Sequence, residues 1–349
     1  MGTLERSTLS WPTLRELAAA RRQGLPLRDV AALLADDPEL PAREAHALRQ
    51  LAAAWQTLPA GDAGWATAFG AALPQPGSAT QAWMREAEAA GADAQALRAW
   101  SDDLRGQDDA RRSGRIARTW PLTILVCMLL IWLIAVEFLM PAFGDLFRDF
   151  NADLPEPTLW TLAFAEFTRR HLLLFLGGAV LLVLVLLRTR ERWLPLFTMA
   201  AERVAFVRRL AVARFADRLL LLLHAHADQP RLQAAALGHL AATAPTPEWS
   251  RCATRLQAAL AAGTPAGAAL RAEPALPRRL GLHLQLGERR GSSAEALADL
   301  RERQAADSEL VAAHYERNLL LLVYGALGVG AWMLVSAIYL PIFKLGSIF

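Results

Sequence analysis

The sequence predicts an all-α protein: two homologous cytoplasmic helical bundles, of about six helices each, combined with three transmembrane helices. Two observations predict the bundles: Ala/Leu/Arg-rich regions with apolar residues every three to four positions, and the lack of alternating β-branched runs. The third observation is a set of dense apolar runs. They account for much of the 54% hydrophobic content, which is above the usual range for a soluble protein.

Composition argues against several classes of protein. The formal net charge of +3 gives no nucleic-acid signature, and two cysteines cannot form a disulfide framework. A P-loop ATPase needs a glycine-rich motif with a lysine beside it, but the only lysine is Lys344 and no such motif exists. We therefore expect a non-enzymatic chain without a cofactor, whose energy comes from a partner.

Three apolar runs predict the membrane segments. The runs at 122–140, 172–187 and 319–340 reach or approach the length that a helix needs to cross a hydrocarbon core of about 30 Å. The predicted boundaries are 1–118 for the first bundle, 119–141 for the first transmembrane helix, 142–170 for a short periplasmic loop, 171–188 for the second transmembrane helix, 189–317 for the second bundle, 318–341 for the third transmembrane helix and 342–349 for a periplasmic tail.

Arginine residues predict the orientation, because cytoplasmic flanks carry an excess of positive charge. Arginines cluster before the first run and after the second, whereas acidic residues outnumber arginines in 141–170. This pattern predicts a multi-pass membrane protein, with a cytoplasmic N-terminus and a C-terminus on the opposite side of the membrane. The basic run at 111–118 also fits contact with anionic lipid or a partner, although topology alone explains it.

The two helical regions resemble each other at an offset near 200. Each begins with a helix that breaks at a turn, Gly24-Leu25-Pro26 in one region and Asp228-Gln229-Pro230 in the other. The matched positions are Pro26 with Pro230, Gly61 with Gly263, Leu73-Pro74 with Leu276-Pro277, Glu88 with Glu288, Gly91 with Gly291, and Leu97 with Leu297. A repeat of this length indicates a duplicated domain rather than a solenoid.

Four stretches resemble those of one family. They are Trp120-Pro121-Leu122 followed by Phe138 to Phe143 with Pro141, then Leu154-Pro155-Glu156-Pro157-Thr158, then Gly287-Glu288-Arg289-Arg290-Gly291 with Leu297, and finally Tyr339 to Gly346 with Leu340 and Pro341. Their order and spacing resemble the F-domain family, the inner-membrane platform proteins of type II secretion and type IV pilus assembly. One departure is Ala87, where the family often has glycine.

The resemblance implies a scaffold that couples a hexameric secretion or pilus ATPase to the extraction and assembly of pilin-like subunits. It implies that the chain lies in the bacterial inner membrane, with a cytoplasmic N-terminus and a periplasmic C-terminus. It also implies contacts with inner-membrane assembly proteins, membrane lipids and further copies of the chain, and none with nucleic acid. The alternative is a subunit of an oligomeric membrane transporter or channel. Polar residues lining several spans would mark that alternative, and only Glu137 qualifies.

The remaining candidate residues each have two interpretations. Glu288 is either a helix cap or a weak candidate for cation binding. Glu137 is either a structural residue near the outer interface or a contact for a substrate helix within the membrane. His224 and His226 do not predict a metal site, because residues two apart on a helix face in different directions and no further ligand completes a site. We expect one of these histidines to be packed and the other solvated.

Overall fold

The computed structural model describes residues 9–57, 64–66, 69, 77–134, 145, 163, 167, 170 and 205–346. Every regular element within these ranges is an α-helix. The chain divides into two compact units, one formed by Met1–Arg111 with Ala201–Ala312 and the other by Arg112–Ala200 with Ala313–Phe349.

The described residues of the first helical region form five helices, with further helical residues at 65, 66 and 69. The helices are α1 (Trp11–Arg22), α2 (Leu27–Ala35), α3 (Ala42–Gln56), α4 (Ser78–Ala89) and α5 (Asp93–Ile134). Proline begins several of them, since its fixed φ suits a helix start and its missing N–H is not needed there. Pro12 lies in the first turn of α1, and Pro26 and Pro41 are the N-caps of α2 and α3.

The second helical region repeats this order with six helices. They are α6 (Ala205–Ala225), α7 (Pro230–Ala242), α8 (Pro247–Ala261), α9 (Ala266–Ala272), α10 (Arg278–Arg289) and α11 (Ser293–Gly346). The helices α6 to α8 follow α1 to α3 by about 205 residues, and α10 and α11 follow α4 and α5 by 200. The helical residues 65, 66 and 69 correspond in position to α9 of the second region.

The two helical regions share one hydrophobic core in the first unit. Its aromatic centre in the first region contains Trp55, Trp65 and Phe69, with ring centroids 6.2 and 6.0 Å from Phe69. In the second region Phe215 stacks on Trp249 at 4.7 Å. Leucines and alanines of both regions continue this core without a break, so the duplicated regions fold into a single compact unit.

The prediction of three transmembrane helices is wrong. Among the described residues, no helix combines the length and the apolar character needed to cross a membrane.

The run at 172–187 lies outside the described residues. The predicted orientation of the two termini depended on the three spans, and the described helices give it no support. The long helices themselves are continuous: α5 extends over 42 residues and α11 over 54.

Candidate functional site

The helix α4 of the first region packs against α7 of the second, and polar side chains bridge this contact. The indole N–H of Trp83 donates to Nε2 of His226 over 3.1 Å, and the Trp83 ring lies 5.2 Å from that of His239. The hydroxyl of Thr80 is 2.7 Å from Nδ1 of His239. All four side chains are buried, so these polar contacts specify how the two regions meet.

Asp103 of α5 lies at the centre of a buried ion network with the second region. Its two carboxylate oxygens accept hydrogen bonds from Nε and Nη2 of Arg218 over 2.6 and 2.9 Å. His239 Nε2 lies 3.3 Å from Oδ2, and the Gln107 amide donates to the same oxygen over 2.8 Å. Arg218 also donates to the hydroxyl of Thr243 over 2.8 Å, so α5, α6 and α7 meet around one carboxylate.

Burial and charge act in opposite directions on Asp103. Burial alone would raise its pKa, but the guanidinium of Arg218 and the hydrogen bonds from His239 and Arg218 outweigh burial and hold the pKa well below its usual range. The carboxylate is therefore ionised at every physiological pH. Because an ionised carboxylate only accepts hydrogen bonds, Nε2 of His239 carries the proton of that contact.

His226 is held neutral by burial, which lowers its pKa to about 4. A neutral ring is also what the contact requires, since its Nε2 accepts from Trp83. The helix α6 ends at Ala225, so His226 lies in the following turn and only His224 is helical. His226 is buried and His224 half-buried, and within the described ranges no group of three His, Cys, Asp or Glu residues could hold a metal ion.

Glu88 and Gly91, predicted from the family motif, lie at the C-terminal end of α4. Glu88 also binds the backbone of the segment 64–66. The Glu88 carboxylate accepts from the amides of Gly64, Trp65 and Ala66, at the start of the short helical segment, with the Trp65 bond 2.9 Å long. Gly91 adopts a φ of 66°, and the amide of Ala92 bonds back to Ala87 over 2.8 Å. This closing pattern is a Schellman motif, which needs a left-handed residue such as glycine.

Glu288 has the same role in the second region. It accepts from the amide of Gly267 over 2.9 Å, in the first turn of α9, which matches a helix cap. Gly291 adopts a φ of 72° and closes α10 with a second Schellman motif. Gly287 allows α10 to approach α11, because a Cβ there would lie 2.2 Å from that of Ala296, and Leu297 is buried in the core.

A cleft of about 610 Å³ opens beside Glu288. Its lining includes Gln233, Thr264, Gln285 and Ser293. None of the residues that line the cleft belongs to the network around Asp103.

The other predicted motif residues are placed as follows. Gly24, with a φ of 74°, closes α1, and Pro26 is the N-cap of α2. Pro230, its predicted counterpart, is instead the first residue of α7. The backbone is helical at Pro121, Leu340, Pro341 and Gly346. Residues outside the described ranges are Gly61, Leu73, Pro74, Glu137, Pro141, Leu154, Pro155 and Thr158.

Sequence reasoning missed the polar network between the two regions. Asp103 stands among several charged residues that resemble a solvated helix surface. A signal was nevertheless present, because Asp103 follows Ala96 and Trp100 at the helical spacing of the buried stripe. A charged residue at an apolar position of this kind predicts a buried partner, although the sequence alone does not identify Arg218.

Two curated proteins are similar to this chain. The type 4 fimbrial assembly protein PilC of Pseudomonas putida is 30% identical over 255 residues, which cover 67% of this chain and 59% of that protein. The protein transport protein HofC homolog of Escherichia coli (strain K12) is 26% identical over 353 aligned positions, which cover 98% of this chain and 85% of that protein. No family model matches the chain.

The similarity to the HofC homolog extends over nearly the whole chain. The chain spans under two thirds of the length of the fimbrial relative. The chain therefore belongs to the family of the type II secretion F protein and the fimbrial assembly protein PilC.

Proposed function

We propose that this chain is a non-enzymatic scaffold of a machine that assembles type IV fimbriae or transports proteins at the bacterial inner membrane. The observation that carries the proposal is the fusion of two homologous helical regions into one unit by the buried Asp103–Arg218 pair. Such a unit offers two related surfaces on a single body, which suits a component that holds several partners. The names of the two relatives, which refer to fimbrial assembly and to protein transport, support the same proposal.

Association with the membrane is part of this proposal. The C-terminal half of α11 exposes large apolar side chains, and exposed apolar surface of this extent marks contact with lipid or protein. The side chains that are at least half exposed are Leu321, Leu322, Tyr324, Val329, Trp332, Val335, Tyr339 and Phe343. Tyrosine and tryptophan among them suit the interfacial zone of a bilayer.

The proposed partners are a hexameric ATPase, inner-membrane assembly proteins and pilin-like subunits. The chain has no phosphate-binding motif of its own, so a separate ATPase would supply the energy. Further partners in this proposal are membrane lipids and other copies of the chain. In this scheme the two helical regions receive the movement of the ATPase, and the long helices pass it on to the pilin-like subunits.

The helix α11 provides a test, because it is continuous from Ser293 to Gly346. Insertion of a flexible seven-residue Gly/Ser segment after Ala312 should abolish fimbriation or protein export while leaving the amount of chain unchanged. The matched control is a seven-residue helical insertion at the same place, which adds about two turns and keeps the helix faces in register. We expect this control to retain activity. Equal activity of the two insertions would contradict transmission through α11.

A further inference from the structure

The cleft beside Glu288 borders two positions at which the first helical region carries tryptophan. Leu260, which lines the cleft, stands 205 positions after Trp55, at the equivalent place near the end of its helix. Gly267 corresponds to Trp65, because the amide of each bonds to the glutamate of its motif over 2.9 Å. The second region therefore has less side-chain volume here, and a cleft of about 610 Å³ remains.

In the first region aromatic rings occupy the equivalent positions. Trp55 and Trp65 are buried, and the indole N–H of Trp55 donates to the carbonyl of Trp65 over 3.2 Å. Phe69 packs against both rings. A tryptophan side chain buries about 150–250 Å², whereas leucine is smaller and glycine has no side chain. The repeats thus differ in volume at this place, and in the second region the difference leaves room for a ligand.

The size and the lining of the cleft suit a ligand with an apolar part. Pockets that bind ligands commonly enclose about 300–1,000 Å³. Leu260, Leu284 and Leu297 are buried and supply the apolar lining. Gln233 is also buried, and its Nε2 donates to the carbonyl of Leu223 over 3.1 Å, so its side-chain oxygen remains to accept a hydrogen bond from a ligand.

Glu288 supplies the negative charge of the cleft. It is half-buried and is the one carboxylate among the residues that line the cleft. Its Oε1 accepts from Gly267, whereas its Oε2 accepts no hydrogen bond from the described part of the chain. Glu88 differs, because its two oxygens accept from three backbone amides. The available oxygen of Glu288 favours a cationic ligand group, and guanidinium bonds carboxylates particularly well.

The rim of the cleft is open to solvent. The exposed residues that line it are Pro230, Gly263, Thr264, Pro265 and Arg289. A small molecule is usually enclosed on most sides by its pocket, whereas an open cleft admits a chain that enters and leaves. The hydroxyl of Thr264 and the guanidinium of Arg289 can donate to the carbonyl groups of such a chain. The rim therefore favours a peptide segment over a free small molecule.

We propose that this cleft binds a peptide segment that carries an arginine beside an apolar residue. The arginine of the peptide donates to Oε2 of Glu288, and the apolar side chain packs on Leu260, Leu284 and Leu297. The proposal goes beyond the scaffold role, because it assigns a peptide-binding site to the second helical region. The site shares no residue with the Asp103 network or with the exposed apolar side chains of α11.

Fluorescence anisotropy on the purified full-length chain tests this site. The probe is a labelled peptide, Gly-Ser-Leu-Arg-Leu-Gly-Ser, and the matched peptide carries citrulline, the uncharged isostere of arginine, in place of the arginine. We expect the citrulline peptide to bind at least about tenfold more weakly, because it loses the charge-assisted hydrogen bonds to Glu288. Equal affinities of the two peptides, or no binding of the arginine peptide, would overturn the proposal.

Substitutions in the chain locate the bound peptide. Glu288→Gln keeps an oxygen for the amide of Gly267 but removes the charge, so the affinity for the arginine peptide should fall to that for the citrulline peptide. Leu260→Trp introduces the aromatic side chain of the first region and should weaken both peptides at least about tenfold. The matched control is Glu295→Gln, an exposed carboxylate that does not line the cleft, with no change expected.

The same variants separate a specific site from general attraction between charges. Equal losses of affinity in Glu288→Gln and Glu295→Gln, or full affinity in Leu260→Trp, would overturn binding in the cleft. The comparison of the arginine and citrulline peptides needs no substitution, so it tests the proposal even if a variant fails to fold.

Butylguanidine distinguishes a peptide ligand from a free cation, because it carries the guanidinium without a peptide backbone. We expect it to displace the labelled probe only at concentrations at least about tenfold above those of the unlabelled arginine peptide. Displacement at equal concentrations would overturn the assignment to a peptide. All these measurements concern binding to the purified chain, so they are independent of whether the chain acts in fimbrial assembly.

Discussion

Asp103 combines full burial with a negative charge, and Arg218 is the partner that makes this possible. We expect Asp103→Asn to lower the free energy of unfolding by about 3 kcal/mol, because the substitution leaves the guanidinium of Arg218 without a counter-charge. The matched control is Asp102→Asn at the half-buried neighbouring position, with an expected change under about 1 kcal/mol. Urea denaturation followed by tryptophan fluorescence measures both. Equal effects of the two substitutions would contradict a structural role for the ion pair.

His226 makes stability depend on pH in a predictable direction. The unfolded histidine takes up a proton near pH 6.5 and the folded one only near pH 4, so the unfolded state binds more protons between these values. The free energy of unfolding should therefore fall as the pH falls from 6.5 to 4, by up to about 3 kcal/mol from this residue. In His226→Gln, whose amide oxygen can accept from Trp83, this part of the pH dependence should disappear.

The comparison between wild type and His226→Gln isolates one histidine. Burial also lowers the pKa of His224 and raises that of Asp217, and both groups are present in the two proteins. Denaturation curves at several pH values between 4 and 6.5 give the difference. Identical slopes in the two proteins would contradict a buried, neutral His226.

At the scale of single residues, the sequence identifies which residues have a structural role better than it identifies their contacts. Glu288 and Gly291 stand out by their spacing and repeat, and the structure places both at the end of α10, where one caps α9 and the other closes a Schellman motif. Trp83 and His239 do not stand out, because each is an ordinary member of a helical pattern. Their pairing depends on how α4 meets α7, and a single sequence does not contain that tertiary information.

At the scale of helices, the approach of α10 to α11 depends on Gly287. We expect Gly287→Ala to destabilise the protein by about 1–3 kcal/mol, since its Cβ would overlap Ala296 and force the helices apart. The matched control is Gly106→Ala in α5, where nothing lies within 4 Å of the added Cβ. There alanine should be neutral or stabilise by up to about 1 kcal/mol. Thermal unfolding measured by circular dichroism compares the two.

The same pair of helices explains a departure in the motif. In the first region Ala87 and Ala96 stand where Gly287 and Ala296 stand in the second, and both are buried. The first region accommodates the methyl group of Ala87, so α4 and α5 lie far enough apart for an alanine at this position. A destabilisation from Gly106→Ala as large as that from Gly287→Ala would contradict this local explanation.

Helix ends were more predictable than helix lengths. The turn at Gly24 and the break before Pro230 both coincide with helix boundaries, because glycine and proline act through local backbone geometry. Uninterrupted helix through 111–121 and 308–319 was predictable, because helical spacing continues there from polar into apolar sequence without a stop signal, and α5 and α11 are continuous through both segments. The membrane prediction failed at this scale: apolar runs alone did not yield a described helix that could cross a bilayer.

For the whole molecule, duplication has produced one folded unit rather than two independent domains. The sequence predicts the duplication from its offset near 200, but it does not reveal that the copies share a core. The shared core predicts a single cooperative unfolding transition for the helical regions, and separate expression of either region should expose the face that α4 and α7 bury. Two separate transitions in calorimetry of the full chain would contradict a shared core.

The measurement that tests the central claim most directly is deletion of the chain in its own bacterium, followed by complementation. We expect the deletion strain to lose surface fimbriae or exported proteins while its ATPase and pilin-like subunits remain at normal levels. Complementation with the wild-type chain should restore the fimbriae or the exported proteins. Undiminished fimbriae and protein export in the deletion strain would contradict the proposed scaffold role.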